Sequence, residues 1–287
     1  MSAALAAGDA AVDSGIEDMA AFLARHERVL LLSGAGMSTA SGIPDYRDRD
    51  GVRRGKAPIQ GPDFRRDDAV RRRYWARSML GYPALARAEP NAGHRAIAAL
   101  QARGRLAALI TQNVDGLHQR AGSTGVTELH GNIHAVACLA CGARHTRSAI
   151  QALLAESNPA LAKAGARVLP DGDADLEPAS LAGFRVPHCL HCGGMLQPDV
   201  VFFGDGVPRA CTEDAQHKVA AADAVLVVGS SLMVFSGYRL CKLAAEAGKP
   251  VAAINLGKTR ADHLLALKTA TPAEQALPLL ARLLAPA

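Results

Sequence analysis

Four cysteines carry chemistry in their spacing. Cys138 and Cys141 form one C-x-x-C pair, and Cys189 and Cys192 form a second. Four thiolates brought to one point close a tetrahedral zinc site that leaves no position for water. Disulfides are the competing use, and they need an oxidising compartment. The segment from Met1 to Ser14 is Ala-rich, contains Asp9 and Asp13, and lacks the Lys or Arg that opens a secretory or transit signal. It reads as a short frayed tail. The chain is therefore expected in the cytoplasm with reduced thiols, and the two pairs are expected to hold metal. The gap from 142 to 188 is longer than in a compact zinc ribbon, so spacing supports the site only in part. His188 and His191 sit beside the second pair and are left out of the ligand set. Cys211 and Cys241 stand alone and read as small buried hydrophobes.

A second group of residues suits a nucleotide. The apolar run Val29–Leu32 is followed by Ser33-Gly34-Ala35-Gly36-Met37-Ser38-Thr39. A strand followed by Gly-x-Gly lets backbone N–H groups approach a pyrophosphate at a helix N-terminus. The ordinary dinucleotide fingerprint needs a third glycine where this chain has Thr39, and no second strand ending in an acidic residue follows nearby. That disfavours a conventional dehydrogenase and leaves a nucleotide site of another kind. Asn113 and Asp115 follow the apolar run Leu106–Ile110, at the strand end where open α/β sheets bind ligands. Turn formation and helix capping are the structural alternatives for the same two residues. His130 lies between the extended run Val126–Leu129 and Gly131. An imidazole titrates near about 6.5, which suits proton transfer at neutral pH. Neither spacing nor composition separates His130 from the nine other histidines.

Taken in order, these segments resemble the sirtuin (Sir2) family. The run Gly34-Ala35-Gly36-Met37-Ser38-Thr39-Ala40-Ser41-Gly42-Ile43-Pro44-Asp45-Tyr46-Arg47 is similar to its first motif. Thr111-Gln112-Asn113-Val114-Asp115-Gly116-Leu117-His118 is similar to the second, and Glu128-Leu129-His130-Gly131-Asn132 to the third. The two C-x-x-C pairs, Gly229-Ser230-Ser231 and Asn255-Leu256-Gly257 follow in the family's order. The likeness spans roughly Ile16 to the C-terminus. Pro58-Ile59-Gln60, Arg73-Tyr74-Trp75-Ala76-Arg77 and Pro198-Asp199-Val200-Val201-Phe202-Phe203-Gly204-Asp205 are most similar to the class II branch.

The resemblance implies an NAD-dependent protein-lysine deacetylase or deacylase. NAD⁺ is then a co-substrate. The amide oxygen of an acyl-lysine attacks C1′ of the nicotinamide ribose and nicotinamide leaves. A ribose hydroxyl, deprotonated by a histidine, attacks the resulting imidate, and water completes release of lysine and O-acyl-ADP-ribose. The resemblance makes His130 the base and gives Asn113 the ribose and the hydrolytic water. It gives Asp115 the nicotinamide carboxamide and Gln112 the ribose. Ala35, Gly36 and Ser38 would line the phosphates. Asp45, Tyr46 and Arg47 would border the nicotinamide pocket and a mobile cofactor loop, with Tyr46 where many members carry Phe. Ser230, Ser231 and Asn255 would hold the adenosine ribose, with Gly34, Gly229, Leu256, Gly257 and Ala273 also contacting the cofactor. The four cysteines would hold one structural Zn²⁺ per chain, and His118 would be structural support.

Acyl-lysine proteins are the implied partners. Val201 and Phe202, within Val200–Phe203, would pair with the substrate backbone as an added strand. Tyr74 and Arg77 are spaced to share a helix face. A Tyr-x-x-Arg pair resembles the one that sirtuins acting on acidic acyl groups place at the pocket floor; an Arg-rich surface helix is the bland alternative. Two other functions compete: a protein mono-ADP-ribosyltransferase, which shares the NAD⁺ cleavage, and a non-enzymatic zinc-ribbon binding module.

The elements that must position these residues follow from the apolar pattern. Val29–Leu32, Leu106–Ile110, Ala224–Val228 and Val251–Ile254 have the length and continuity of buried parallel strands. Helical patterns alternate with them over Ile16–Arg28, His94–Arg103, Asp214–Ala222 and Gly237–Ala247. The expected fold is α/β, a doubly wound Rossmann-like parallel sheet with a small zinc-binding module and a helical insertion. The sheet domain takes residues 15–137 and 196–287, with the helical and cofactor-loop insertion at about 47–90. The zinc module takes 138–195, with a Pro/Gly/Asp-rich middle, Leu169-Pro170-Asp171-Gly172-Asp173. The chain has 287 residues, 49% of them hydrophobic, enough for a large core, and no apolar run reaches the length of a membrane span. The net charge of +5 is concentrated between Arg47 and Arg77, which hold eleven Lys or Arg against five Asp. A nucleic-acid binder more often shows a basic stripe with interleaved aromatics or a recognised module, so that segment reads as a solvated helix face near an anionic ligand.

Overall fold

The computed structural model describes residues 15–55, 57–162, 181 and 183–285. The N-terminal tail and the Leu169–Asp173 segment lie outside the described residues. In chain order, α1 (15–24) precedes β1 (Val29–Ser33), and α2 (Gly61–Arg66), α3 (Asp68–Arg87) and α4 (Ala92–Ala102) lead to β2 (Ala108–Thr111). Then come α5 (Leu117–Arg120), β3 (Thr127–Glu128), β4 (Gly131–Cys138), β5 (Arg144–Thr146), α6 (Arg147–Ser157) and α7 (Pro159–Ala162). The chain closes with β6 (Leu196–Val200), α8 (Arg209–Ala221), β7 (Ala224–Val228), α9 (Phe235–Glu246), β8 (Val251–Ile254), β9 (Leu265–Thr269) and α10 (Ala273–Leu283).

Six strands form a parallel sheet in the order β3-β2-β1-β7-β8-β9. The four continuous apolar runs became its four central strands because both of their faces are covered. On one face Val29 and Leu31 pack with Ile16 and Met19 of α1, Ile97 and Leu100 of α4, and Leu277 and Leu280 of α10. On the other, Leu30 and Leu32 pack with Ala215 and Val219 of α8 and with Leu240, Cys241 and Ala244 of α9. The fold is thus the expected doubly wound α/β class. The chain moves outward from β1 to β3, then returns to place β7 against the other side of β1, so the topological switch point lies between β1 and β7. That is where such sheets open a crevice at their carboxyl ends.

A second sheet, β5-β4-β6, is antiparallel. Val136, Cys138, Cys189 and Leu196 of this region share one buried cluster with Phe64 of α2, Tyr74, Trp75 and Met79 of α3, and Phe202. The helical insertion and the cysteine region therefore have a common core. Five arginines of the positive segment are ion-paired in the fold. Arg54 pairs with Asp45, Arg65 with Asp205, Arg66 with Asp63, and Arg71 and Arg72 with Asp68. Several of these are (i, i+3) and (i, i+4) helix pairs, the arrangement of a solvated helix face. Among the described residues no helix is long and apolar enough to cross a membrane.

Candidate active site and metal centre

The site is assembled from the ends of strands. Gly34 follows β1, Gln112 follows β2, Gly229 follows β7 and Asn255 follows β8; Leu129 and His130 follow β3. These ends open on one cavity of about 1150 Å³. Every residue singled out above for catalysis, cofactor or substrate lines it, from Gly34 and Asp45 through His130 to Ala273, with Val201, Phe202, Tyr74 and Arg77.

The turn after β1 differs from the expected one. Two short 3₁₀ turns, Ala35–Met37 and Thr39–Ser41, stand where an α-helix was anticipated. The glycines have a packing reason: the Gly36 N–H donates to the Gly229 carbonyl at 2.8 Å. A Cβ on Gly229, at φ +58°, would lie 2.4 Å from the backbone nitrogen of Met37. The two loops meet backbone against backbone, and the N–H of Gly36 is taken within the protein.

A hydrogen-bonded cluster occupies the floor. Ser38 Oγ donates to Asp115 Oδ2 at 2.7 Å, and the Leu117 N–H donates to Asp115 Oδ1 at 2.9 Å. Asn113 Nδ2 donates to the Gly34 carbonyl and to Ser38 Oγ, each at 3.0 Å. Both donors of the Asn113 amide are thus spent, and its remaining polar atom is the acceptor Oδ1. Asn113 and Asp115 are buried. Gln112 Nε2 donates to Ser230 Oγ at 2.7 Å, and the Gln112 carbonyl lies 2.9 Å from His130 Nδ1. A carbonyl only accepts, so Nδ1 carries the hydrogen and Nε2 holds the lone pair. Burial holds His130 below the ordinary histidine value, opposed by the bond to Gln112. The ring is neutral over a wider range than an exposed imidazole.

At the rim, Arg47 donates to the Gly51 carbonyl at 2.8 Å and Asp45 pairs with Arg54 at 2.8 Å. The loop carrying them reaches the far end of the cleft, where the Lys258 N–H donates to the Arg49 carbonyl at 2.8 Å. Asn255 Nδ2 donates to the Gly257 carbonyl at 2.8 Å. Phe202 is buried against Phe64 and Tyr74, with ring centroids 5.0 and 5.2 Å away. The Val201 N–H donates to the His130 carbonyl at 2.8 Å, so that donor is taken by the fold.

Sequence reasoning missed Ser236, whose Oγ lies 2.8 Å from His130 Nε2. A serine just ahead of a helical pattern reads as a cap. Here the N-cap is Val234 and the serine sits inside the first turn. It also missed Leu232, which at φ 55° has the one positive φ among the described non-glycine residues. Its N–H donates to Ser230 Oγ at 3.2 Å, which pins the loop to the cluster.

Behind the cluster lies a buried pair of histidines. The rings of His94 and His118 meet edge to face with centroids 4.9 Å apart. His118 Nε2 lies 2.8 Å from Ser33 Oγ, and His94 Nδ1 takes the Asn91 N–H in the capping box of α4. Burial pushes His118 down to about 3 and His94 down to about 4. His118 is structural support, as expected.

The metal centre is separate. The four cysteine sulfurs lie within 4.8 Å of one another. Cys138 and Cys192 sulfurs are 3.6 Å apart, Cys141 and Cys189 sulfurs 3.8 Å. Zinc–sulfur bonds of about 2.3 Å give a tetrahedron with edges near 3.8 Å, so the donor set fits Zn²⁺. Backbone N–H groups of Cys141 and Ala140 pull the Cys138 thiol down to about 6, while against the Gly194 N–H the Cys141 and Cys138 sulfurs push Cys192 up to about 12. His145 Nε2 lies 3.4 Å from Cys189 Sγ, a contact to the ligand sulfur. Of the two single cysteines, Cys241 is buried, as expected, and burial pushes its thiol up to about 12. Cys211 is only partly buried, its Sγ donating to the Glu128 carbonyl at 3.5 Å.

Sheet topology and cleft together define a doubly wound nucleotide-type α/β protein with a hydrogen-bonded imidazole at the crevice and a four-cysteine centre beside it. Residues 34–236 match the Sir2 family model. The chain is 55% identical over 253 residues to NAD-dependent protein deacetylase 3 of Pseudomonas syringae pv. tomato, covering 88% of this chain and 90% of that one. It is 53% identical over 256 residues to an NAD-dependent protein deacetylase of Xanthomonas campestris, covering 89% and 87%. Among solved structures, a Sir2–p53 peptide–NAD⁺ complex superposes with a TM-score of 0.74 at 27% identity, covering 93% of this chain and 97% of that one. A Sir2 enzyme solved in a study of mechanism and regulation gives 0.73 at 31% identity, covering 94% and 98%. The chain belongs to the Sir2 family.

Two outcomes follow. Zinc should be found at one ion per chain by elemental analysis, and stripping it or replacing Cys141→Ser should unfold the cysteine region, seen as lost near-UV circular dichroism; a folded, active, metal-free protein contradicts this. The buried histidines set an acid limit. Between about pH 6.5 and 4 the unfolded chain takes up protons that the folded chain refuses, so stability falls as pH falls, by about 1.4 kcal/mol per pH unit for each histidine. Urea titrations at pH 6 and 5 should show this slope, and His118→Gln should cut it by about one proton.

Proposed function

We propose that this chain is an NAD-dependent protein-lysine deacetylase or deacylase that works in the cytoplasm, with His130 as the base and Asn113 and Asp115 as its partners. The convergence of these three side chains on one cavity carries the reading: the Asn113–Ser38–Asp115 cluster and the Gln112–His130 bond line the same space. The relatives' names and the bound peptide and NAD⁺ of the solved neighbour support it. The donor set fits the co-substrate: a row of hydroxyls and amides from Ser38 to Asn255 along one cleft, with Asp115 at the buried end. Bound NAD⁺ supplies the ADP-ribosyl acceptor for the acyl group and nicotinamide as the leaving group.

The chain's own residues do the rest. Asp115, held through both oxygens, keeps lone pairs for a carboxamide N–H. Asn113 presents Oδ1 to a hydroxyl or a water. His130 takes a proton at Nε2 while Nδ1–H stays on the Gln112 carbonyl. Residues 15–137 with 196–287 form the NAD-binding part in this reading, and 138–195 form the zinc module. Acyl-lysine proteins are the substrates, and the ion pairs of Arg65, Arg66, Arg71 and Arg72 support reading the basic segment as a solvated helix face, not a nucleic-acid stripe.

Incubation with NAD⁺ and an acetyl-lysine peptide should release nicotinamide and O-acetyl-ADP-ribose. His130→Ala should lower kcat by about 10²–10⁴-fold, the range for a lost general base, with protein still folded. Wild-type turnover by that variant removes the assignment, and label transferred to protein instead would favour ADP-ribosyl transfer. At the acyl end, Arg77 lines the cavity one helical turn from Tyr74. Arg77→Ala should lower the ratio of glutaryl-lysine to acetyl-lysine turnover; an unchanged ratio ends the idea that Arg77 meets a distal carboxylate.

A further inference from the structure

We propose that Ser236 is a positioning residue for His130: its hydroxyl donates to Nε2 and holds the imidazole in place until a substrate hydroxyl takes over the same lone pair. This rests on reading His130 as the base.

The donor assignment follows from the neighbours. Nδ1 faces the Gln112 carbonyl, so its hydrogen is fixed there and Nε2 is the acceptor. The Ser236 Oγ at 2.8 Å must then be the donor. No other hydrogen bond of this hydroxyl occurs among the described residues, and both side chains line the cavity. The serine is the second residue of α9, so the positive end of a twelve-residue helix faces the same ring.

The next residue shows that the approach is built. A Cβ on Gly237 would lie 2.6 Å from Gln112 Oε1 and 2.8 Å from its Cδ. Gln112 cannot simply swing away, because its Nε2 is held by Ser230 Oγ at 2.7 Å. Glycine at 237 therefore lets α9 come close enough for Ser236 to reach the ring that Gln112 holds from the other side. Packing alone would accept alanine at 236; the hydrogen bond would not.

The consequence is a ring clamped at both nitrogens with its basic lone pair masked. When a substrate hydroxyl replaces Ser236, its O–H bond breaks with the electron pair left on the oxygen as the nucleophile, an Nε2–H bond forms and the imidazole gains one positive charge. The serine hydroxyl can then rotate to accept from Nε2–H. The bond accepted from the charged ring is the stronger of the two, so on balance Ser236 favours the protonated form. Removing it leaves the ring harder to protonate.

The test uses the full chain in four forms: wild type, Ser236→Ala, Ser236→Thr and His130→Ala. Nitrogen-15 NMR of the histidine rings is read without co-substrate, and the acidic limb of kcat/KM for NAD⁺ is read at saturating acetyl-lysine peptide. That limb reports the base before NAD⁺ binds. In the wild type, His130 should be the Nδ1–H tautomer. In Ser236→Ala, its titration and the acidic limb should move together to lower pH by roughly half to one unit, the worth of one hydrogen bond, with turnover down several-fold. Ser236→Thr should restore both. An unmoved titration in a folded Ser236→Ala protein overturns the proposal, even where His130→Ala is inactive. Wild-type turnover by His130→Ala overturns the base reading instead, and the NMR titration still decides whether Ser236 holds the ring.

Discussion

The site hangs on one backbone contact, the Gly36 N–H to the Gly229 carbonyl. It closes the crevice between the turn after β1 and the turn after β7, where the sheet changes direction. Neither loop could come this close with a Cβ at Gly229. Once it is made, Ser230 lies beside Gln112 and binds its amide. Gln112 in turn fixes His130 through its main-chain carbonyl. The orientation of the imidazole is thus set by parts of β2, β7 and α9 that are far apart in sequence and adjacent only in the parallel sheet.

Burial governs the electrostatics built on that frame. Asn113, Ser38 and Asp115 satisfy one another inside the cleft. Asp115 accepts a hydroxyl and a backbone N–H. His94 and His118, directly behind, are neutral for the same reason that His130 is held below the ordinary histidine value: a charged imidazole is costly where water is excluded. The cluster gains rigidity, and acid tolerance is lost in exchange.

Much of this was legible in the sequence, and the reason is physical. A buried parallel strand must be apolar on both faces, so Val29–Leu32, Ala224–Val228 and Val251–Ile254 announce themselves. Strand Leu265–Thr269 did not, because as the sheet's edge its residues alternate between exposed and partly covered. Helix Ala273–Leu283 carries Pro278 in its interior and so lacks a clean helical reading, yet it packs Leu277 and Leu280 into the core. The turn after β1 looked like a phosphate-binding helix start because Gly-x-Gly reads the same whether the close neighbour is a ligand or another loop. Ser236 was invisible for a similar reason: a serine at a helix start has a common local role, and only tertiary structure brings His130 to it.

The cysteine region belongs to the argument about the cleft as much as to the argument about metal. Cys138 and Cys189 share a buried cluster with Tyr74, Phe64 and Phe202, and Tyr74 and Phe202 also line the cavity. Arg147, wholly buried at the start of α6, donates to the Ser78 carbonyl and hydroxyl on α3 and lies 4.3 Å from the Tyr82 ring centroid. Tyr82 contacts His134 Nδ1 at 3.1 Å, and His134 Nε2 reaches the Asp115 carbonyl at 2.9 Å. The wall of the cleft that would meet the acyl group is therefore one packed unit with the thiolate centre, joined by hydrogen bonds to the segment carrying Asp115. A metal that only holds four sulfurs together still fixes the shape of the wall, because densely packed cores shift as units and transmit strain to their neighbours. A structural ion some residues away from any reacting atom can thus be required for catalysis without taking part in it.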